Sequence, residues 1–315
     1  MNLARQIKEI PFNKNSTITV GTFDGVHLAH QKIIKEVVAL AKKRNGRSVV
    51  VTFEPHPREV VGNVDTKIQL LTTLRERQEL CDQLGVDWFV VISFDKAFSN
   101  QSFRDFYVTY LIGGIGMNLV VEGYDHHWGR NREGTIESLM QLGKEFEFDV
   151  VNIEQFIYKG NPVNSSIIRD ELNRGMVEDA AELLGRPYAL RGKVVAGDGR
   201  GRLLGYPTAN IELDSQKKLI PDNGIYFVKV HIGTDMYFGM ASIGVRPTFH
   251  TTDKRTIEVN ILDFDKDIYG CDLQIGFLRR MRSEFKFDTA EQLIQQMHKD
   301  KELSKTFQLE YITRE

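Results

Sequence analysis

The hydrophobic pattern of this chain changes once, near Arg186-Pro187, and that change commits it to two different folds in series. Before it, short Val-rich runs at 17–20, 47–53, 87–94, 118–123 and 146–153 read as buried strands. Between them lie stretches of helical period: one with Ile34, Val37, Val38 and Ala41 on a single face, then 74–84 and 103–112. Parallel strands need long crossovers and helices supply them, so this half predicts a parallel α/β sheet. The stretch 165–185 reads as two short helices stopped at Gly175 and Gly185. After Pro187, β-prone runs at 188–195, 206–213, 226–232, 237–243, 256–262 and 273–277 are separated by Gly, Asn, Asp and Pro clusters. About six strands at this spacing predict a small closed barrel. Ala290, Leu293, Ile294 and Met297 then predict a C-terminal helix packed on it. The expected domains are 1–185 and 186–315, sizes that suit a 315-residue chain.

Charge and sulfur narrow the classes of function. Lys+Arg 41 against Asp+Glu 43 leaves a net charge of -2, which argues against a surface built to wrap nucleic acid. The run Lys42-Lys43-Arg44 reads as a helix end, where cations complement the dipole. Cys81 and Cys271 are too few for a disulfide framework or a cysteine zinc site. Cys81, seven positions after Leu74, is expected to be a buried apolar residue. No run approaches 18 apolar residues, and the start MNLARQIKEIPFNKNS lacks the apolar core of a secretory signal. A cytoplasmic protein with no membrane partner is the expectation.

Two segments carry candidate chemistry. In TVGTFDGVHLAH, Gly21 and Gly25 lie between a strand and a helix, where open α/β sheets bind phosphates against free helix N–H groups. If the helix has begun, His27 and His30 share one of its faces; they suit a growing phosphate charge, a solvated or capping role, or a metal, though a metal would need a third ligand and none is near in sequence. Farther on, NSSIIR reads either as a helix cap at Ser165 or Ser166 followed by a solvated Arg169, or as hydroxyls and a cation for the same phosphates. GDGRGRLLGYPTAN places Gly197, Gly199, Gly201 and Gly205 within nine residues, without the order of a Walker loop. It is a phosphate cradle or a Gly-rich hairpin; Thr208 and Asn210, on one side of the following strand, offer hard oxygens suited to Mg²⁺. Glu258, between Ile257 and Val259, reads from alternation alone as an outward strand residue.

These segments resemble a known family. GTFDGVHLAH and NSSIIR are similar to the paired signatures of the nucleotidylyltransferase superfamily. FEPHP and GYDHHWGRNREG are similar, more narrowly, to the adenylyltransferase half of the bacterial bifunctional riboflavin kinase/FMN adenylyltransferases. The run from Gly197 to Asn210 resembles the riboflavin kinase signature, with Tyr206 where Phe is common, and GIYFVKV, SIGVRPTF, TIEVNILDFDKDIYG and FLRRMRSEFKF follow in that family's order. The resemblance implies a nucleotidylyltransferase-type sheet domain followed by a riboflavin-kinase-like barrel. It implies FMN made from riboflavin and ATP in the barrel, with release of ADP, and FAD made from FMN and a second ATP in the sheet domain. By it, His27, His30, Ser165, Ser166 and Arg169 handle the ATP triphosphate beside the loop of Gly21, Phe23, Asp24 and Gly25. His56, Pro57, Asp125, Asn131 and Arg132 line the adenosine and flavin sides. Gly197, Gly201, Arg202, Gly205, Tyr206 and Pro207 cradle the kinase nucleotide, Thr208 and Asn210 hold Mg-ATP, Glu258 is the general base, and Arg282 either binds flavin or ADP or belongs to a charged helix face. Three positions depart from the pattern: Ala29, His126 and Asn164. A kinase with an altered adenylyltransferase half, and a flavin-binding regulator, are the rival readings.

Overall fold

The computed structural model describes residues 1–62, 68–124, 134–197, 201, 205–245 and 255–313. They form two compact units, Met1–Ser165 and Ser166–Glu315.

In the first unit the strands are β1 (Asn2–Ala4), β2 (Ser16–Val20), β3 (Arg47–Glu54), β4 (Trp88–Ser93), β5 (Met117–Gly123) and β6 (Asp149–Ile153). They lie side by side as β1-β4-β3-β2-β5-β6, and every neighbouring pair is parallel. The connecting helices are α1 (Leu28–Lys43), α2 (Pro57–Val61), α3 (Leu74–Gln83), α4 (Lys96–Ser99), α5 (Phe103–Asp105), which runs on into π-helical turns over Phe106–Ile115, and α6 (Ile136–Phe146). Because side chains alternate across a strand, Val49, Val51 and Phe53 enter the core on one face of the sheet while Val50 enters the other with Ile34, Cys81 and Phe89. Burial on both faces is why these strands read as unbroken apolar runs. The chain builds β3 and β4 outward on one side of β2, then returns to lay β5 and β6 on the other. The carboxyl end of β2 is therefore the switch point at which such sheets open a crevice.

Besides the short helices α2 and α4, three elements differ from the sequence expectation. Strand β1 is too short to show a period and exists only because Asn2 to Ala4 pair with Trp88 to Val90. Helix α6 takes in Phe146, so the strand expected from 146 begins at Asp149, after Glu147 turns the chain at φ 58°. A two-residue hairpin, β7 (Ile157–Tyr158) with β8 (Asn161–Pro162), precedes the second unit.

Helices α7 (Ser165–Asn173) and α8 (Val177–Leu184) end near Gly175 (φ 75°) and Gly185 (φ 69°), as their glycines predict. Six strands follow: β9 (Tyr188–Val195), β10 (Ala209–Leu213), β11 (Gly224–Ile232), β12 (Asp235–Val245), β13 (Arg255–Ile261) and β14 (Asp272–Arg282). They close a barrel in the order β10-β13-β12-β11-β14-β9, which leaves no open edge. Helix α9 (Ala290–Ile312) lays Phe307 and Tyr311 on Phe227 and Phe238 outside the barrel. Arg279, Arg280 and Arg282, which a charged helix face would equally explain, lie instead on β14. That strand outruns its apolar core because it stays paired to β11 through two register shifts, with Arg282 opposite Ile225.

Candidate active sites

The first site grows from the loop joining β2 to α1. Phe23 (φ 47°) and Val26 (φ 39°) hold left-handed backbone that side chains disfavour, flanking Gly25 (φ 89°). Such a loop persists only when its surroundings over-determine it. Here they do. The buried Asp24 carboxylate accepts from Leu71 N (3.1 Å), Thr72 N (2.8 Å) and Thr72 Oγ1 (3.1 Å). Thr72 Oγ1 in turn accepts from Gly25 N (2.8 Å), and Ser165 Oγ donates to Asp24 O (2.9 Å). Phe23 and Val26 fill the core beneath.

His27 caps α1: its Nδ1 accepts from His30 N at 3.4 Å. An accepting Nδ1 places the proton on Nε2, leaving a neutral ring with one donor nitrogen. The rings of His27 and His30 stack at 3.6 Å between centroids, and Phe23 meets His30 edge-on at 5.2 Å. His56 repeats the device at the start of α2, where Nδ1 accepts from Arg58 N (3.1 Å) and Pro57 takes the first helical position. Two buried imidazoles are thus held as single-proton donors by helix capping. Gly21 closes β2, its N–H donating to Val51 O (2.9 Å).

Helix α7 begins at Ser165, so Ser165 and Ser166 are its first residues rather than its cap, and Arg169 is one turn on. Asp125, Asn131 and Arg132, with His126, lie outside the described residues. Two residues that the sequence reading passed over frame this site. Thr72 bonds the loop, and Arg77, buried on α3, donates to Thr22 O (2.8 Å) and Thr52 Oγ1 (3.0 Å) and pairs with Glu54 (3.0 Å). The signal was present: Thr73 and Glu76 form a capping box that starts α3, and Arg77 falls between Leu74 and Cys81 on its buried face.

The second site lies where β10 meets β13. Thr208 Oγ1 donates to Glu258 Oε2 at 3.2 Å, although the two are 50 residues apart in sequence. Asn210 stands directly opposite Glu258, and Glu258 opposite Ser242 on β12. Ile257 and Val259 point into the barrel and are buried. Glu258 therefore faces outward, as alternation predicts, and the outward face is where Thr208, Asn210 and Ser242 gather. Gly197 gives this corner room, since a Cβ there would sit 2.0 Å from Asn210 Nδ2. Gly201 is as tight, with Tyr206 O at 2.4 Å from an added Cβ. Thr208 and Pro207 also line a cavity of about 290 Å³ with Val194, Ile261, Phe264 and Tyr269. Ser242 and the cavity-lining 264–269 escaped the sequence reading, because only strand pairing and folding-back place them here. Arg282, read as a flavin or ADP contact, is held by Asp300 of α9 at 2.6 Å. Arg202 lies outside the described residues.

Known proteins can be set beside this geometry. The FAD synthetase family pattern matches residues 9–167, and the riboflavin kinase pattern matches 184–308. A bifunctional riboflavin kinase/FMN adenylyltransferase of Listeria monocytogenes is 37% identical over 93% of this chain and 92% of its own. The chain belongs to the bifunctional riboflavin kinase/FMN adenylyltransferase family. The Bacillus subtilis protein of that name is 35% identical over 91% of this chain and 90% of its own. A crystal structure described as a macrolide-efflux protein of Streptococcus pneumoniae superposes with a TM-score of 0.89, at 31% identity over 96% of this chain and 98% of that one. Among the described residues no helix is long and apolar enough to cross a membrane. In sequence, the first pattern contains the loop after β2 and the second contains β10 and β13.

Proposed function

We infer that this chain makes FAD in two steps, phosphorylating riboflavin to FMN and then joining FMN to AMP. The observation that carries this is the end-to-end match of one chain to both family patterns, 9–167 and 184–308. We assign adenylyl transfer to 1–185 and the kinase to 186–315.

In the kinase step the ribityl 5′-hydroxyl oxygen attacks the γ-phosphorus of ATP and ADP leaves. Glu258 takes the hydroxyl proton, and its contact with Thr208 holds the base beside the phosphates. The Thr208 hydroxyl and the Asn210 amide oxygen are hard oxygen donors, which fit Mg²⁺ arriving with the nucleotide, while Glu258 beside them is left to act as the base. When bound, Mg²⁺ neutralises charge on the transferring phosphoryl group. We place the nucleotide in the cavity that Pro207 and Thr208 line, and assign the neighbouring Gly197, Gly201 and Gly205 to its phosphates.

In the adenylyl step a phosphate oxygen of FMN attacks the α-phosphorus of ATP and pyrophosphate leaves. His27 and His30, at the N-terminus of α1, donate to the phosphates as their charge grows. Ser165, Ser166 and Arg169 are assigned as further donors from α7, and His56, whose Nδ1 accepts from Arg58 N, is assigned to the substrate side. No protein nucleophile is needed in either step. We place both reactions in the cytoplasm.

Product analysis tests the whole reading. The protein given riboflavin, ATP and Mg²⁺ is expected to yield FMN and then FAD. Glu258→Ala should lose FMN formation by about 10²–10⁴-fold yet still convert supplied FMN to FAD. His30→Ala should stop at FMN. Wild-type FMN that never becomes FAD would remove the adenylyl assignment, and flavin binding without any product would leave a binding protein rather than an enzyme.

A further inference from the structure

The turn that presents Thr208 is held from outside the barrel by one side chain of the C-terminal helix. Gly205 enters this turn at φ 80°, and Tyr206 N donates to Gly201 O at 2.8 Å. Pro207 has no N–H to contribute, but its carbonyl accepts from Asn260 Nδ2 at 2.8 Å. Thr208 then reaches Glu258. The side chain of Tyr206 is only 5% exposed, and its hydroxyl lies 2.6 Å from His298 Nδ1 with the two rings edge-to-face.

The helix carrying His298 is itself fixed. Arg282 Nε meets both oxygens of Asp300 at 3.1 Å and Nη2 meets Oδ2 at 2.6 Å, while Gln296 Nε2 donates to Asp300 Oδ1 at 2.9 Å. Residues two apart on a helix point about 200° away from each other. Helix α9 is thus gripped between the turn at Tyr206 and the end of β14. Its far end packs on Phe238, and Phe238, Met240 and Ser242 alternate onto one face of β12. Ser242 is the residue opposite Glu258, so the helix covers the barrel face immediately beside the candidate base.

We propose that His298 is a positioning residue for the kinase site: its hydrogen bond to Tyr206 locks the turn that sets Thr208, and so the nucleotide phosphates, against Glu258. The proposal rests on the kinase reading above. A loosened turn costs binding of ATP more than the chemical step, because Glu258 and Asn210 stay fixed by strand register.

The test uses the full chain with Tyr206→Phe, His298→Leu, the double variant, and His298→Asn, whose amide oxygen can stand near the place of Nδ1. Tyr206→Phe and His298→Leu should each raise the KM for ATP in FMN formation by about fivefold to twentyfold, with kcat changed less than about threefold. Hydrogen exchange at the Tyr206 amide of the ligand-free protein should quicken in both. The double variant should be no worse than either single one, and His298→Asn should recover most of the loss. Additive losses, or an unchanged KM with unchanged exchange, would overturn the proposal, as would a fall in kcat alone. If the wild type makes no FMN, the kinase reading fails and hydrogen exchange alone decides whether the lock exists.

Discussion

Arg77 is a cation almost wholly removed from water, with a single carboxylate beside it and a buried Nε that lacks a partner among the described residues. Removing such a side chain takes one donor each from Thr22 O, Thr52 Oγ1 and Glu54 at the carboxyl ends of β2 and β3 and leaves the Thr52 hydroxyl bond to Thr22 O in place. Arg77→Ala is expected to lower the unfolding free energy in urea by about 2–3 kcal/mol, less than for a fully buried pair because Glu54 stays partly solvated, and Arg77→Lys to lose part of that because an ammonium cannot form the same fork. Cys81 sits one turn farther along α3, and burial pushes its thiol up to about 12. A folded chain treated with an alkylating reagent should therefore label at the partly exposed Cys271 and not at Cys81, whereas denatured chain should label at both. The burial of Cys81 was legible from its spacing to Leu74. That of Arg77 was written in the same spacing, but a charged residue on an apolar face is read as solvated until its partners are seen, and those partners come from other strands.

The loop between β2 and α1 behaves as one element with the segment before α3, since Asp24 and Gly25 are tied to Leu71 and Thr72 by four hydrogen bonds at 2.8 to 3.1 Å, three of them through the hydroxyl or amide of Thr72. Thr72→Val keeps the shape and removes the hydroxyl bridge. It should slow FAD formation from supplied FMN by roughly tenfold and lower the melting temperature by several degrees, because the hydroxyl makes two hydrogen bonds, one of them to a carboxylate, worth together about 2–4 kcal/mol. A loss of FMN formation from riboflavin in the same variant would contradict the assignment of this loop to adenylyl transfer. The glycines of this loop marked it in sequence as a phosphate site, but nothing local showed what pins it, because Asp24 and Thr72 are 48 residues apart. At the other end of the chain, the arginines of β14 show the reverse problem. Their charge masks a strand, which exists because β11 continues beside it.

For the molecule as a whole, Glu122 sets an expected pH dependence of stability. Burial in β5 raises its carboxyl from 4.5 to about 8, against a smaller opposing effect of the Tyr107 hydroxyl, which donates to it at 2.8 Å. The folded state then binds a proton that the unfolded chain has released. Stability from this group is complete below about 4.5 and is lost as pH rises toward 8, with a slope of at most about 1.4 kcal/mol per pH unit. Urea unfolding across that range should show the decline, and Glu122→Gln, which cannot ionise, should flatten it. The amino-acid sequence by itself determined that there are two folds and of what kind, because a period of two and a period near 3.6 are local properties of the chain. It also marked the loops rich in glycine and the residues His27, His30, Thr208, Asn210 and Glu258. Only the tertiary structure decided which of these meet. The switch at β2 is a matter of strand order, and the contact of Thr208 with Glu258 follows from the register of β10 on β13. The grip of His298 on Tyr206, 92 residues away, depends on where α9 lies against the closed barrel. Pairings across such separations are selected by the combined burial of many side chains, and no local period encodes them.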